Sequence, residues 1–124
     1  MAKQRVAGSQ PAGAYSPGII AEGRFVYVSG QAPVRDGIVV GETVGEQTQI
    51  ALENVASVLA EAGASPADVV RCGVFLASIA DFDEMNSVYA EFFDDPLPAR
   101  TTVGAGLAGF KVEIDCVAVL PEQG

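Results

Sequence analysis

Apolar positions recur along this chain with two periods, and each period predicts a different element. RFVYVSG, residues 24–30, alternates, is rich in aromatic and β-branched types, and reads as a strand ending at Gly30. GIIAEG before it reads as a short partner strand with a turn at Glu22-Gly23. QAPVRDGIVVGE, residues 31–42, holds a turn at Asp36-Gly37 and a brief strand in IVV. From Thr43 the period lengthens. Val44, Thr48, Ala51, Leu52, Val55, Leu59 and Ala62 recur at three- and four-residue steps, the stripe of a helix with one buried face. Thr43 followed by Glu46 predicts a capping box at its start, and Gly63 predicts a left-handed residue just past its end.

Ser65-Pro66 opens a single helical turn, and Val69 to Ala77 is the next strand. A second helix is expected from Asp81 to Phe93, with Asp81 as its cap, Glu84 in the complementary third position, and Met85, Val88, Tyr89 and Phe92 as its apolar stripe. Pro96 and Pro98 prevent its continuation. Strands over 100–105 and 111–120 follow, separated by GLAGF. This order predicts one α/β (α+β) domain over residues 1–124, a mixed sheet with both helices on one face.

The other face is also largely apolar. In KVEIDCVAVL, Val112, Ile114, Cys116 and Ala118 point one way while Glu113, Asp115, Val117 and Val119 point the other. In VVRCGVFLA, Val69, Arg71, Gly73 and Phe75 form a second face of the same kind. Two helices cannot cover both sides. Either another copy of the chain buries the second face, or the N-terminal strands fold over it.

Composition sharpens the picture by exclusion. A chain of 124 residues, 49% apolar, buries about two-thirds of its unfolded surface without help from disulfides or metals. No apolar run is long enough for a membrane span, and no secretory signal is visible, so the cytoplasm is the expected location. Sixteen acidic side chains against seven basic ones give a formal charge of −9, which repels nucleic-acid backbones and anionic lipid. The basic residues are mostly isolated, so neither partner is expected; one or two cations in a cleft can still hold a small anion. Cys72 and Cys116 sit in apolar runs and read as buried small hydrophobes. Histidine is absent, which removes histidine-paired nucleophiles and makes a zinc site unexpected. Phosphate-loop, dinucleotide and GxSxG motifs are absent too. No cofactor is implied.

Chemistry must therefore come from carboxylates, arginine, hydroxyls and backbone groups. Arg100, in PARTTVGAG, stands at the start of a strand, where its planar fork suits a carboxylate; the alternative is a surface ion pair. Glu113 lies among apolar strand residues and can orient or deprotonate water, or pair with Lys111, Arg71 or Arg100. Tyr15, in GAYSPG, either covers a ligand or anchors the N-terminal arm. Ser29 and Gly30 end a strand with backbone N–H groups to offer, Asn86 lies off the centre of the second helix's stripe, and Thr102 is an ordinary strand residue.

Together these positions carry a family pattern. GAYSPGI (13–19), YVSGQAP (27–33), QTQIALENVASVLAEAGASPADVV (47–70), MNSVYAEFF (85–93), PARTTV (98–103) and VEIDCVAV (112–119) resemble the RidA (YjgF) family of reactive-intermediate enamine/imine deaminases. The resemblance implies a chorismate-mutase-like fold assembled as a homotrimer, with clefts between subunits and no cofactor. It implies that Arg100 grips a substrate carboxylate, that Glu113 positions the attacking water, and that Tyr15, Ser29, Gly30 and Asn86 line the pocket. Thr102 stands where the family usually has a cysteine, so a backbone role survives there and a thiol role does not. The segment between Arg100 and Glu113 is two residues shorter than usual, and Ala14 and Pro17 replace the usual proline and glutamine. The implied substrate is a short carboxylate-bearing imine, hydrolysed to a 2-oxo acid and ammonia. The rivals are a hydrolase for another unsaturated acid and a non-catalytic trimeric ligand-binding protein.

Overall fold

The computed structural model describes residues 3–122. Its strands are β1 (Lys3–Val6), β2 (Gly18–Ala21), β3 (Phe25–Gln31), β4 (Val34–Arg35), β5 (Ile38–Val39), β6 (Val69–Leu76), β7 (Ala99–Gly104) and β8 (Val112–Val119). The helices are α1 (Val44–Glu61) and α2 (Phe82–Phe92).

Both helices follow the local chemistry, with one exchange of partners. Thr43 and Glu46 form the capping box reciprocally, and Gly63 takes a φ of +83° past the end of α1. Asp81 makes no capping bond to α2; a 3-10 turn over Ile79–Asp81 leads into that helix instead. Glu84, expected to complete the α2 cap, turns outward and accepts the Gly45 N–H at 2.8 Å. It therefore caps α1. A carboxylate there meets the positive end of the α1 dipole, which the first turn of its own helix, already carrying Asp83, needs less.

The main sheet has the order β3-β8-β6-β7. β6 and β7 are parallel, joined by the crossover through α2, and the other pairs are antiparallel. β4 and β5 form a hairpin whose turn residues, Asp36 and Gly37, have φ of 53° and 78°, the primed turn that suits a tight hairpin.

One pairing differs from the sequence expectation. β2 does not pair with β3; it pairs antiparallel with β1, a strand whose KQRV sequence gives no alternating signal. Gly23, at φ +134°, lets the chain turn away after Ala21 into a different sheet. β7 and β8, consecutive in the chain, are not neighbours, because β6 lies between them.

The core sits between the sheet and the helices. Val74, Leu76, Val112 and Ile114 from the sheet are fully buried with Leu52, Val55 and Leu59 of α1 and Met85 and Tyr89 of α2. The opposite face is open in the single chain: Tyr27 is 75% exposed, Val103 41% and Phe25 38%. β2 touches β6, and Lys3 Nζ donates to the Val69 carbonyl at 2.7 Å, which ties the N-terminal hairpin to the start of β6.

Candidate functional site

Arg100 lies on the last strand of the sheet, opposite Cys72 of β6, which itself faces Cys116 of β8. Residues paired across strands carry their side chains to the same face. This row points toward the helices, so the guanidinium enters the layer between β7 and α2 and Arg100 is only 8% exposed. It does not form a surface ion pair.

Three aromatic rings surround the charge. The Arg100 Cζ lies 4.7 Å from the Tyr89 ring centre, 5.1 Å from Tyr15 and 5.4 Å from Phe82, within range for attraction by a ring face. Burial lowers the pKa of Arg100, and the neighbouring Tyr89 and Tyr15 oppose that shift. Arginine starts so high that the group stays charged. Burial likewise pushes the Tyr89 hydroxyl well above its ordinary value, with the Cys72 thiol adding to the effect.

Nη1 donates to Asn86 Oδ1 at 2.8 Å. Among the described residues Nε and Nη2 are buried without a hydrogen-bond partner, and so is Thr102 Oγ1. Thr102 follows Arg100 at the strand's period of two and so shares its face. Buried polar groups are normally satisfied, because an unmet donor costs about 1–3 kcal/mol. Unmet groups of Arg100 and Thr102 on one side of β7 can hydrogen-bond a polar ligand.

The elements explain the assembly of this half of the site. Ser16 bridges to Ala99 beside β7 and donates its N–H to the Pro98 carbonyl at 3.0 Å, which lays Tyr15 against Arg100. The Tyr15 hydroxyl accepts the Ala12 N–H, so the residue also pins its own loop. Phe82, Asn86 and Tyr89 recur at four- and three-residue steps on α2 and therefore face β7 together.

Glu113 belongs to the other face. Its cross-strand partner is Phe75, whose own partner on β7 is Val103. Between Val28 and Gln31 the β3–β8 register slips, so Ser29 and Gly30 share the place opposite Asp115 as a bulge. Gly30 leaves room for the Glu113 carboxylate, with which any Cβ there would collide. Ser29 and Gly30 are exposed and Glu113 is half-buried.

The single chain thus divides the sequence-derived residues into two sets. Arg100, Tyr15, Asn86 and Thr102 gather on the helix side; Glu113, Ser29 and Gly30 gather on the open side. It does not bring Arg100 and Glu113 together, because β6 lies between their strands and the two side chains point to opposite faces. Sequence reasoning missed Phe82 and Gly13. Phe82 was detectable from its helical spacing to Asn86; Gly13, which packs on the Arg100–Asn86 pair, carries no chemical signal.

The family model described as Endoribonuclease L-PSP matches residues 6–120. The mitochondrial protein mmf2 of Schizosaccharomyces pombe is 46% identical over 104 residues, covering 80% of this chain and 82% of that protein. The chloroplastic Reactive Intermediate Deaminase A of Arabidopsis thaliana is 38% identical over 112 residues, 87% of this chain and 59% of that protein. Among solved structures, E. coli TdcF with bound serine is similar at a TM-score of 0.73 and 31% identity, covering 94% of each chain.

Proposed function

The chain belongs to the Endoribonuclease L-PSP family, also the YjgF/RidA family, and on that premise we propose that it hydrolyses short 2-imino and enamine acids to 2-oxo acids and ammonia. The observation that carries this reading is the buried Arg100, ringed by Tyr15, Phe82 and Tyr89, with Nε and Nη2 unpartnered. A carboxylate offers two oxygens to those two N–H groups, and the rings keep water from weakening the pair. Serine bound to TdcF and the deaminase name of the Arabidopsis relative support a small amino-acid-like ligand.

In the reaction the carboxylate docks on Arg100 and places the adjacent imine carbon for attack. Glu113 orients a water and draws off its proton; the oxygen bonds to carbon while the C=N electrons move to nitrogen, which takes up a proton. The carbinolamine then forms its C=O bond as the C–N bond breaks, and ammonia leaves with the transferred proton. Only water is consumed. An enamine acid enters after tautomerising to the imine.

Because Arg100 and Glu113 occupy opposite faces of one sheet, the working site joins the helix-side set of one copy to the open-side set of another. A homotrimer with three such crevices is the assembly proposed. The exposed Tyr27 and Val103 beside Glu113's row support it, since an apolar face of this kind is normally buried by a partner. The family description names a nuclease, but a formal charge of −9 with dispersed basic residues opposes an RNA backbone.

A freshly generated 2-imino acid series, followed by imine decay and ammonia release, tests the reading. Arg100→Ala is expected to lose on the order of 100-fold in kcat/KM, the loss of a charged bidentate contact. Glu113→Ala is expected to cut turnover by about 100-fold or more while affinity for the 2-oxo acid changes little. Ammonia release from both variants at the wild-type rate would refute the assignment.

A further inference from the structure

The side-chain oxygen of Asn86 is already engaged within the protein. Oδ1 accepts from Arg100 Nη1 at 2.8 Å and from the Ala14 N–H at 3.0 Å. Both partners can only donate, so they fix which end of the amide faces them. The choice of Nη1 has a chemical consequence. Within a guanidinium, Nη1 lies on the Cδ side, whereas Nε and Nη2 share the opposite edge. With Nη1 tied, the edge left open is the Nε/Nη2 pair, and those are the two buried atoms without partners. Their N–H bonds run side by side, at the spacing of a carboxylate's oxygens.

Gly13 meets the same pair from the N-terminal loop. A Cβ on this residue would stand 2.7 Å from Arg100 Nη2, 2.9 Å from Asn86 Oδ1 and 3.3 Å from the Phe82 ring. Any side chain there would push the guanidinium off Asn86 or force the loop away from it.

We propose that Asn86 is a positioning residue and not a substrate ligand: through Nη1 it locks the Arg100 fork so that the Nε/Nη2 edge alone receives the carboxylate, and Gly13 leaves the space that this lock needs. The inference rests on the carboxylate reading of Arg100. Its physical content is preorganisation. A free arginine side chain loses rotamer freedom when it grips an anion, and a fork fixed during folding has already lost it. Asn86 can supply that restraint because Phe82 and Tyr89, one helical step before and after it, pack against the same guanidinium, their ring centres 5.4 and 4.7 Å from its Cζ.

The test compares wild type with Asn86→Ala, Gly13→Ala and Arg100→Ala, after thermal melting has identified which variants fold. Titration with 2-oxobutanoate is followed in a 15N spectrum selective for arginine Nε–H groups, and KM and kcat are measured with 2-iminobutanoate. Wild type should show a sharp Arg100 Nε–H signal that moves as the acid binds. Asn86→Ala should broaden that signal and raise both Kd and KM about tenfold, with kcat within a factor of about three. Gly13→Ala should give the same pattern with Asn86 still present, and carries the test if Asn86→Ala does not fold. Unchanged Kd in the folded variants would overturn the proposal, as would a fall in kcat with KM unmoved, which would put Asn86 at the reacting atoms. If Arg100→Ala also leaves Kd unchanged, the carboxylate reading itself falls; if it abolishes binding while the other two do not, only the positioning role does.

Discussion

At the scale of single residues, the core face holds two kinds of polar group with opposite fates. Arg100 is charged, ringed and left with donors to spare, whereas Cys72, its cross-strand partner, is silenced by its surroundings. Burial, the largest cause, pushes the Cys72 thiol up to about 12, and Cys116 is raised for the same reason. The thiolate is the reactive form, so neither cysteine has it available near neutrality. Iodoacetamide at pH 8 should therefore leave both thiols unmodified in the native protein and label both after denaturation, as read by mass spectrometry. Rapid labelling of the folded chain would contradict their burial. Both cysteines were legible as core residues from their apolar runs. Arg100 was legible as unusual from its strand setting, but its ring of aromatics was not, since Phe82, Tyr89 and Tyr15 come from different elements.

Between elements, the informative contact is Glu84 of α2 on the first turn of α1. Glu84→Ala should strip an acceptor from the Gly45 N–H and cost about 1 kcal/mol, the usual effect of losing a helix cap. Urea unfolding would measure it, and Glu84→Gln, which keeps an acceptor, should recover most of the loss. No change for the alanine variant would mean that the contact does not stabilise the helix pair. A second cap has a defined pH dependence. Hydrogen bonds from the Thr43 and Glu42 N–H groups hold Glu46 below its ordinary value, so its contribution is present above the unfolded pKa and is lost as pH falls through the folded one. The two caps were unequally legible. The Thr43–Glu46 box is local, four residues of sequence; the Glu84–Gly45 bond joins helices 39 positions apart, and sequence proximity pointed Glu84 at the wrong helix.

For the whole molecule, the proposed site draws Arg100 and Glu113 from opposite faces of one sheet, so the proposal requires two copies of the chain to complete it. Arg100→Ala and Glu113→Ala each disable a different half. Trimers formed by unfolding and refolding the two variants together should regain activity, because some crevices then receive an intact Arg100 from one copy and an intact Glu113 from another. At equal mixing about a quarter of the sites would be complete in a closed symmetric ring. Sedimentation would verify the trimer, and ammonia release would report the recovery. Failure of mixed trimers to exceed either parent would show that the two residues do not share a site.

The local physics of the sequence determined much of this protein: most of the strands and their alternation, both helices, the turn at Asp36-Gly37, and the presence of a second apolar face. Such features depend on neighbours a few residues apart, where side-chain period and capping chemistry act directly. Only the tertiary structure decided that β1 pairs with β2, that β6 separates β7 from β8, and that Arg100 and Glu113 point to opposite sides. Strand order and register arise from which long-range partners bury the most surface together. A residue's type announces what chemistry it can do, but the register of its strand decides which face, and so which partners, it meets.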